Sequence, residues 1–305
     1  MKHSYSIAIV LLLFVNLGYT QLSDLHYLPP LKQGSNNSSV KEQTIYLSTP
    51  ETTAFAVNAY IGTSTTPAAT FSISNLNPGI YNLVNGDNDV TMVRDNNTGI
   101  VLSNSGLRFE SPGGQKFYVN YRGSSSAQAT SLTSKGRQAL GTKFKWGGAP
   151  NYATTNDIST SLGIMATEDN TVVDISGYDP NCEFRLQNNR GGITSNTIQI
   201  TLNKNESFVL EAYTTQTTAN IDGWLGASID ATKNIAISNG GLNYGVVASS
   251  TGSRDAGIDQ PVPENKLGKE YVFIRGNGRD DTEFPIIIGT QNNTEIFVNG
   301  STTPI

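Results

Sequence analysis

Two histidines, His3 and His26, and one cysteine, Cys182, make up the whole imidazole and thiol inventory of this 305-residue chain. A Ser-His-Asp triad, a Cys-His pair or a histidine-bound zinc needs at least one imidazole held in place by a neighbour. His3 falls in a segment expected to be removed. His26 sits in Asp24-Leu25-His26-Tyr27-Leu28-Pro29-Pro30, an extended stretch that is a poor platform for catalysis. Histidine-dependent hydrolysis is disfavoured on count alone. A lone thiol in an exported chain has no internal partner, so Cys182 reads as a small buried hydrophobe, with a nucleophile or an intermolecular disulfide as the reactive alternatives.

The acids offer two candidate groupings. Asn85-Gly86-Asp87-Asn88-Asp89 alternates oxygen-bearing side chains, which makes Asp87 and Asp89 candidate calcium ligands. The downstream Glu of an EF-hand loop is missing, and N-G and D-N pairs are ordinary turn formers, so no cofactor is assigned. Glu168 and Asp169 resemble a glycosidase pair only on paper, because adjacent residues on a strand face opposite ways. Residues 275–279 (RGNGR) are Gly-rich, but no Lys-Ser/Thr follows as a phosphate loop requires. No catalytic residue is assigned. The binding candidates are aromatic: Trp146 and Tyr152 in KWGGAPNY, and Trp224. Trp146, beside Gly147 and Gly148, reads as an exposed-loop ring able to stack on sugar or protein, although core packing is the commoner fate of such rings.

Whatever positions these residues is built from strands. Residues 1–21 have the layout of a secretory signal peptide, with Lys2 and His3 before the apolar run IAIVLLLFV and a small, polar end. The run covers nine residues, far short of the roughly 20 that a membrane span needs. The chain is therefore expected to be secreted, extracellular or on the cell surface. Charged residues make up 15% and the net charge is −5, without Lys/Arg clusters, so there is no electrostatic footprint for nucleic acid or membrane. Residues 22–43 carry two prolines and a Gly-Ser-Asn-Asn-Ser-Ser run, which predicts an extended N-terminal arm.

From residue 44 to 305 short alternating runs are separated by turn residues, the pattern of an all-β domain. Leu162, Ile164 and Ala166 lead into Glu168-Asp169-Asn170, and Val173 and Ile175 lead out. Ile198, Ile200 and Leu202 precede Asn203-Lys204-Asn205-Glu206, with Phe208 and Leu210 after; Ile229 and Ala231 precede Thr232-Lys233-Asn234, with Ile235 and Ile237 after. Each reads as an antiparallel hairpin. Residues 166–177 (ATEDNTVVDISG) also line up with 289–300 (GTQNNTEIFVNG), and Leu140-Gly141-Thr142-Lys143-Phe144 with Leu267-Gly268-Lys269-Glu270-Tyr271. Repeated antiparallel hairpins predict a β-propeller-like fold, with a tandem β-sandwich as the alternative. The chain stops soon after the second copy, which is expected for a piece truncated at its C-terminus.

Taken in order, the DLHYLPPL arm, the TPETTAFAV strand, the LGTKF and LGKEY blocks and the DNT and NNT turns resemble the IgGFc-binding protein N-terminal domain family, in the form found in large Bacteroidota surface proteins associated with type IX secretion. The resemblance implies a non-catalytic, extracellular binding or adhesion module that recognises a glycan or protein ligand at the front of a larger surface protein. Fold kinship alone does not transfer the Fc ligand. A secreted carbohydrate-active enzyme using carboxylates and a purely structural spacer are the competing expectations.

Overall fold

The computed structural model describes residues 21–32, 40, 42–86, 88–124, 128–152, 158–245, 255–274, 276 and 285–305. The segment read as a signal peptide lies outside them, Gln21 excepted. Among the described residues every element longer than a short 3-10 turn is a strand, so the protein is all-β.

The residues read as an arm open the fold as Leu25–Leu28 (β1) and Leu31–Lys32 (β2). The first half continues through Glu42–Ser48 (β3), Phe55–Ile61 (β4), Ala69–Ile73 (β5), Gly79–Asn82 (β6) and Met92–Val93 (β7). Val101–Leu102 (β8), Leu107–Glu110 (β9), Tyr118–Ser124 (β10) and Ala129–Thr133 (β11) complete it. Two antiparallel four-stranded sheets result, in the orders β1-β9-β4-β5 and β11-β10-β3-β6. Alternation decides how they pack. Ile45, Leu47, Val119 and Tyr121 point inward from one sheet, and Val57, Ala59, Leu107 and Phe109 from the other, into one shared core. The sheets therefore close face to face as a sandwich. A propeller blade is a meander of consecutive strands, whereas β9 here lies between β1 and β4. Of the two expected architectures the strands follow the sandwich.

The second half comprises Gly141–Lys145 (β12), Ser159–Ala166 (β13), Thr171–Ser176 (β14), Phe184–Leu186 (β15) and Asn189–Ile193 (β16). Thr197–Leu202 (β17), Ser207–Tyr213 (β18), the long Ser228–Tyr244 (β19) and Asp255–Asp259 (β20) follow. With β8 they form one ten-stranded sheet.

Its three central turns differ from the hairpins expected there. β13 and β14 pair not with each other but in succession along β19, Ala166 opposite Ile235 and Val173 opposite Ala231. β18 and β17 run on in the same way along β13 and β14, Met165 opposite Ser207 and Thr171 opposite Leu202. Each turn is thus a corner in a long strand, and the three corners lie side by side. Asn170 and Asn205 take left-handed backbone (φ 53° and 65°), which asparagine tolerates better than most residues. Lateral bonds lock the corners: Thr167 N–H donates to Asn234 O (3.1 Å), Asn205 N–H to Ala166 O (2.8 Å) and Lys204 N–H to the Asp169 carboxylate (2.9 Å). True hairpins occur elsewhere, at β4–β5, β10–β11 and β15–β16. At this shared crease the sheet curls over, so Leu162, Ile164, Leu210 and Ile237 from one side meet Val173, Ile175, Ile198 and Ile229 from the other in one core.

The half of the sheet around β13 is covered on both faces. Every residue of β13 is buried, as expected for a strand between two layers. Its Met165 packs with Tyr27 of β1 and Ala236 of β19. A Cβ on Gly163 would stand 1.9 Å from the Pro30 carbonyl oxygen, so only glycine lets the segment between β1 and β2 cross there. Beside the crossing lies an ion network. Lys32 and Arg185, both almost fully buried, each reach Asp95 (3.0 and 3.1 Å), and Arg185 also bonds buried Glu211. Burial pushes the Asp95 carboxyl up, but Lys32 and Arg185 outweigh it and hold it below the usual carboxylate range. Gln260, just after β20, donates to Tyr27 O (2.7 Å) and accepts from Ser134 Oγ (3.0 Å) and Lys135 N–H (2.7 Å). Residues 25–32 thus touch both the first sandwich, through β1 on β9, and the ten-stranded sheet, through Gly163 and Gln260.

Candidate binding surface

The tryptophans go to the core. Trp146 follows β12 and Trp224 precedes β19; their rings stack with centroids 3.8 Å apart and planes 22° apart. They are 1% and 0% exposed. Each indole N–H is used internally, Trp224 Nε1 donating to Thr160 Oγ1 (3.0 Å) and Trp146 Nε1 to Ser161 O (3.3 Å). The exposed-loop reading of Trp146 is corrected, and its glycines explain the mistake. A Cβ on Gly148 would stand 2.3 Å from the Trp146 ring, so the residue is bare because the indole folds back over it. Tyr152 is half-buried, its N–H bonded to Gly245 O (2.9 Å).

The remaining chemistry-bearing residues are also committed to structure. Cys182 lies in the core with both tryptophans, and burial pushes its thiol up to about 12, far from a nucleophile. His26 is fully buried on β1, and its Nε2 donates to Phe117 O (2.9 Å) and Ser23 O (3.2 Å). Asp89 caps a turn, its carboxylate accepting from Arg94 N–H (2.9 Å) and pairing with the Arg94 guanidinium (3.1 Å). Asp87 lies outside the described residues, as does most of the 275–279 loop. Glu168 and Asp169 stand on the corner ridge, where Asp169 holds Lys204 N–H. Among the described residues no three His, Cys, Asp or Glu side chains converge as metal ligands.

What the structure does present is a face that residue-by-residue reading passed over. The outer side of the sheet β11-β10-β3-β6 carries the residues that alternate with its core positions: Thr44 and Tyr46 on β3, Tyr118, Asn120 and Arg122 on β10, Ile80 and Asn82 on β6. Register sets Tyr46 opposite Asn120 on one side and opposite Ile80 on the other. Tyr46 and Ile80 are exposed. Arg122 lies over the Tyr46 ring, 5.3 Å from its centroid, and its Nε donates to Asn120 Oδ1 (3.0 Å). Asn120 in turn donates to Thr133 Oγ1 (2.9 Å), and Thr44 Oγ1 to Asn82 Oδ1 (3.1 Å). Neighbours on the sheet thus hold one another's rotamers, so the tyrosine and arginine are held in place by the sheet itself. The signal was in the sequence as strict alternation in EQTIYLS and YVNYRGS, but alternation says that one face is wet, not which sheet bears it.

A family model described as IgGFc binding protein matches residues 129–305. The chain belongs to the IgGFc-binding protein family. The matched part of this IgGFc-binding chain starts at the first residue of β11 and takes in β12 to β20 and the residues after them. That family is one of binding domains, typically extracellular, and is not known as enzymatic. No curated protein and no solved structure matches this chain. No helix among the described residues is long and apolar enough to cross a membrane.

Proposed function

We propose that this chain is a non-catalytic module of the cell surface that binds a protein ligand through the outer face of β11-β10-β3-β6. One observation carries the reading: Tyr46, exposed and overlain by Arg122, stands on a sheet face of hydrogen-bonded Asn and Thr. Tyrosine and arginine are the residue types that dominate binding energy at protein interfaces, because they bring large contact area with few free torsions. Family membership supports the class, and the committed state of His26 and Cys182 supports a module without nucleophilic or histidine chemistry. The family name makes an immunoglobulin Fc fragment the first probe.

The test is surface plasmon resonance of the full chain against Fc and a panel of extracellular proteins, run beside a glycan array. Tyr46→Ala and Arg122→Ala are expected to weaken a protein ligand by about tenfold or more each while leaving the melting temperature in place. A ligand retained in full by both variants would overturn the assignment of this face. A second reading places binding on the ten-stranded sheet, because the family match covers its strands β12 to β20. The outward row there is Gln199, Asp174, Asp230 and Lys143, with Gln199 Nε2 donating to Asp174 (2.8 Å) and Lys143 3.7 Å from Asp230. Asp174→Ala and Lys143→Ala in the same assay separate the two faces.

A further inference from the structure

Arg94, Arg108, Arg137 and Arg185 are each held by a carboxylate of this chain. Arg122 is exposed and makes no ion pair among the described residues. Glu42 is the only other charged residue on β3, β6, β10 or β11. It stands opposite Ser124, whose Oγ donates to its carboxylate (3.2 Å), while Arg122 stands opposite Thr44. The face thus holds a cation that its own acid does not neutralise.

The way Arg122 is held says what would fit it. Its Nε donates to Asn120 Oδ1 (3.0 Å), and its guanidinium lies over the Tyr46 ring, 5.3 Å from the centroid. Neither contact uses the two Nη groups, which meet no acceptor among the described residues. That end of a guanidinium is a planar fork matching both oxygens of one carboxylate, a charge-assisted pairing that a lysine cannot copy. Beside it Tyr46 and Ile80, partners in the register of β3 and β6, are exposed. An acid and an apolar group must therefore arrive together.

We propose that the ligand of this face is a protein segment recognised through an aspartate or glutamate, its carboxylate on the Arg122 Nη groups and an apolar neighbour on Tyr46 and Ile80. The proposal rests on the reading of this face as the ligand surface and adds the chemistry of the partner. A polyanionic glycan fits less well, because it is gathered by several cations together. These four strands carry one, in a chain of net charge −5.

The test is selection of a random-peptide phage library on the full chain, with Tyr46→Ala and Arg122→Gln as counter-targets. Peptides lost on both variants are expected, rich in Asp or Glu beside an apolar residue. Both variants should melt with the parent, because both side chains are exposed. A selected peptide resynthesised with its acid changed to the amide should lose about tenfold or more in Kd against the parent. Against Arg122→Gln the same change should cost nothing further, since both remove one contact. Arg122→Lys, which keeps the charge without the fork, should recover only part of the affinity. Peptides that need Tyr46 but carry no acid, or whose acid matters equally without Arg122, overturn the inference and leave the face as the ligand surface. Selection of no peptide dependent on Tyr46 or Arg122 also overturns it. Heparin and polygalacturonate then separate the two failures: binding that needs Arg122 gives the face to an acidic glycan, and no binding removes the face as well.

Discussion

Trp146 lies flat on Trp224, ring centroids 3.8 Å apart, in the core of the ten-stranded sheet, with Phe184 edge-on to Trp224 at 5.3 Å. The pair joins the residue after β12 to the loop before β19, the two segments that bound that side of the core. A stacked pair adds a directional preference to the burial of two large rings.

Removing either ring leaves a cavity that the surrounding strands cannot collapse around. Trp224→Ala is expected to cost about 3–5 kcal/mol in urea unfolding, and Trp146→Ala a similar amount. Native tryptophan emission should be blue-shifted and resistant to iodide quenching. Emission like that of exposed indole in the folded protein would show the stacking to be wrong.

The Arg185–Glu211 pair is buried at both ends and is tied to Lys32 through Asp95. Truncating one partner leaves an uncompensated charge in the interior, so Glu211→Ala should destabilise by about 3–5 kcal/mol. The double change Arg185→Met with Glu211→Leu should cost clearly less than the two single changes added together. A strictly additive double-mutant cycle would mean that the two groups do not interact.

His26 gives stability a pH dependence of definite sign. Burial lowers its pKa from 6.5 to about 4, against smaller opposing effects from Phe117 O, Ser23 O and Asp24. The unfolded chain therefore binds the extra proton between about pH 6.5 and 4 while the folded one does not. Stability from this group is undiminished above pH 6.5 and falls as pH drops through that window, by up to about 3 kcal/mol. Unfolding measured from pH 7 to 4 should show this slope, and His26→Gln, which keeps an N–H donor for Phe117 O, should flatten it. An unchanged slope in the variant would assign the effect to other groups.

Gly163 tests whether the first strands are a tie or a loose arm. With the Pro30 carbonyl 1.9 Å from where a Cβ would sit, Gly163→Ala must push the β1–β2 segment off the sheet or bend β13. A loss of several kcal/mol is expected, with faster proteolysis near residues 25–32. A variant as stable as the parent would return that segment to the status of an arm.

Much of the fold was legible in the chain order of polar and apolar residues. Alternation in EQTIYLS, TVVDIS and TIQITL identified strands and their inward positions, because a strand between core and water must carry a period of two. The scarcity of histidine and the single Cys182 argued against histidine and thiol chemistry, since such chemistry would have to rest on His26 alone. The repeated TEDNT and TQNNT turns were readable as well, and both fold alike because left-handed Asn and a Thr hydroxyl bond are local properties.

What the tertiary structure decided was everything set by neighbours distant in sequence. A turn between two alternating runs reads as a hairpin tip, yet Glu168-Asp169-Asn170 is a corner, because β19 supplies the hydrogen-bonding edge that the two arms would otherwise offer each other. Trp146 beside two glycines read as an exposed ring, yet Trp224, 78 positions away, gives it a place to be buried. Tyr46 was one alternating residue among many until the sheet order left its face open and brought Arg122 across from β10. Local sequence sets which conformations are cheap. Which face is covered depends on contacts that no stretch of the chain contains within itself.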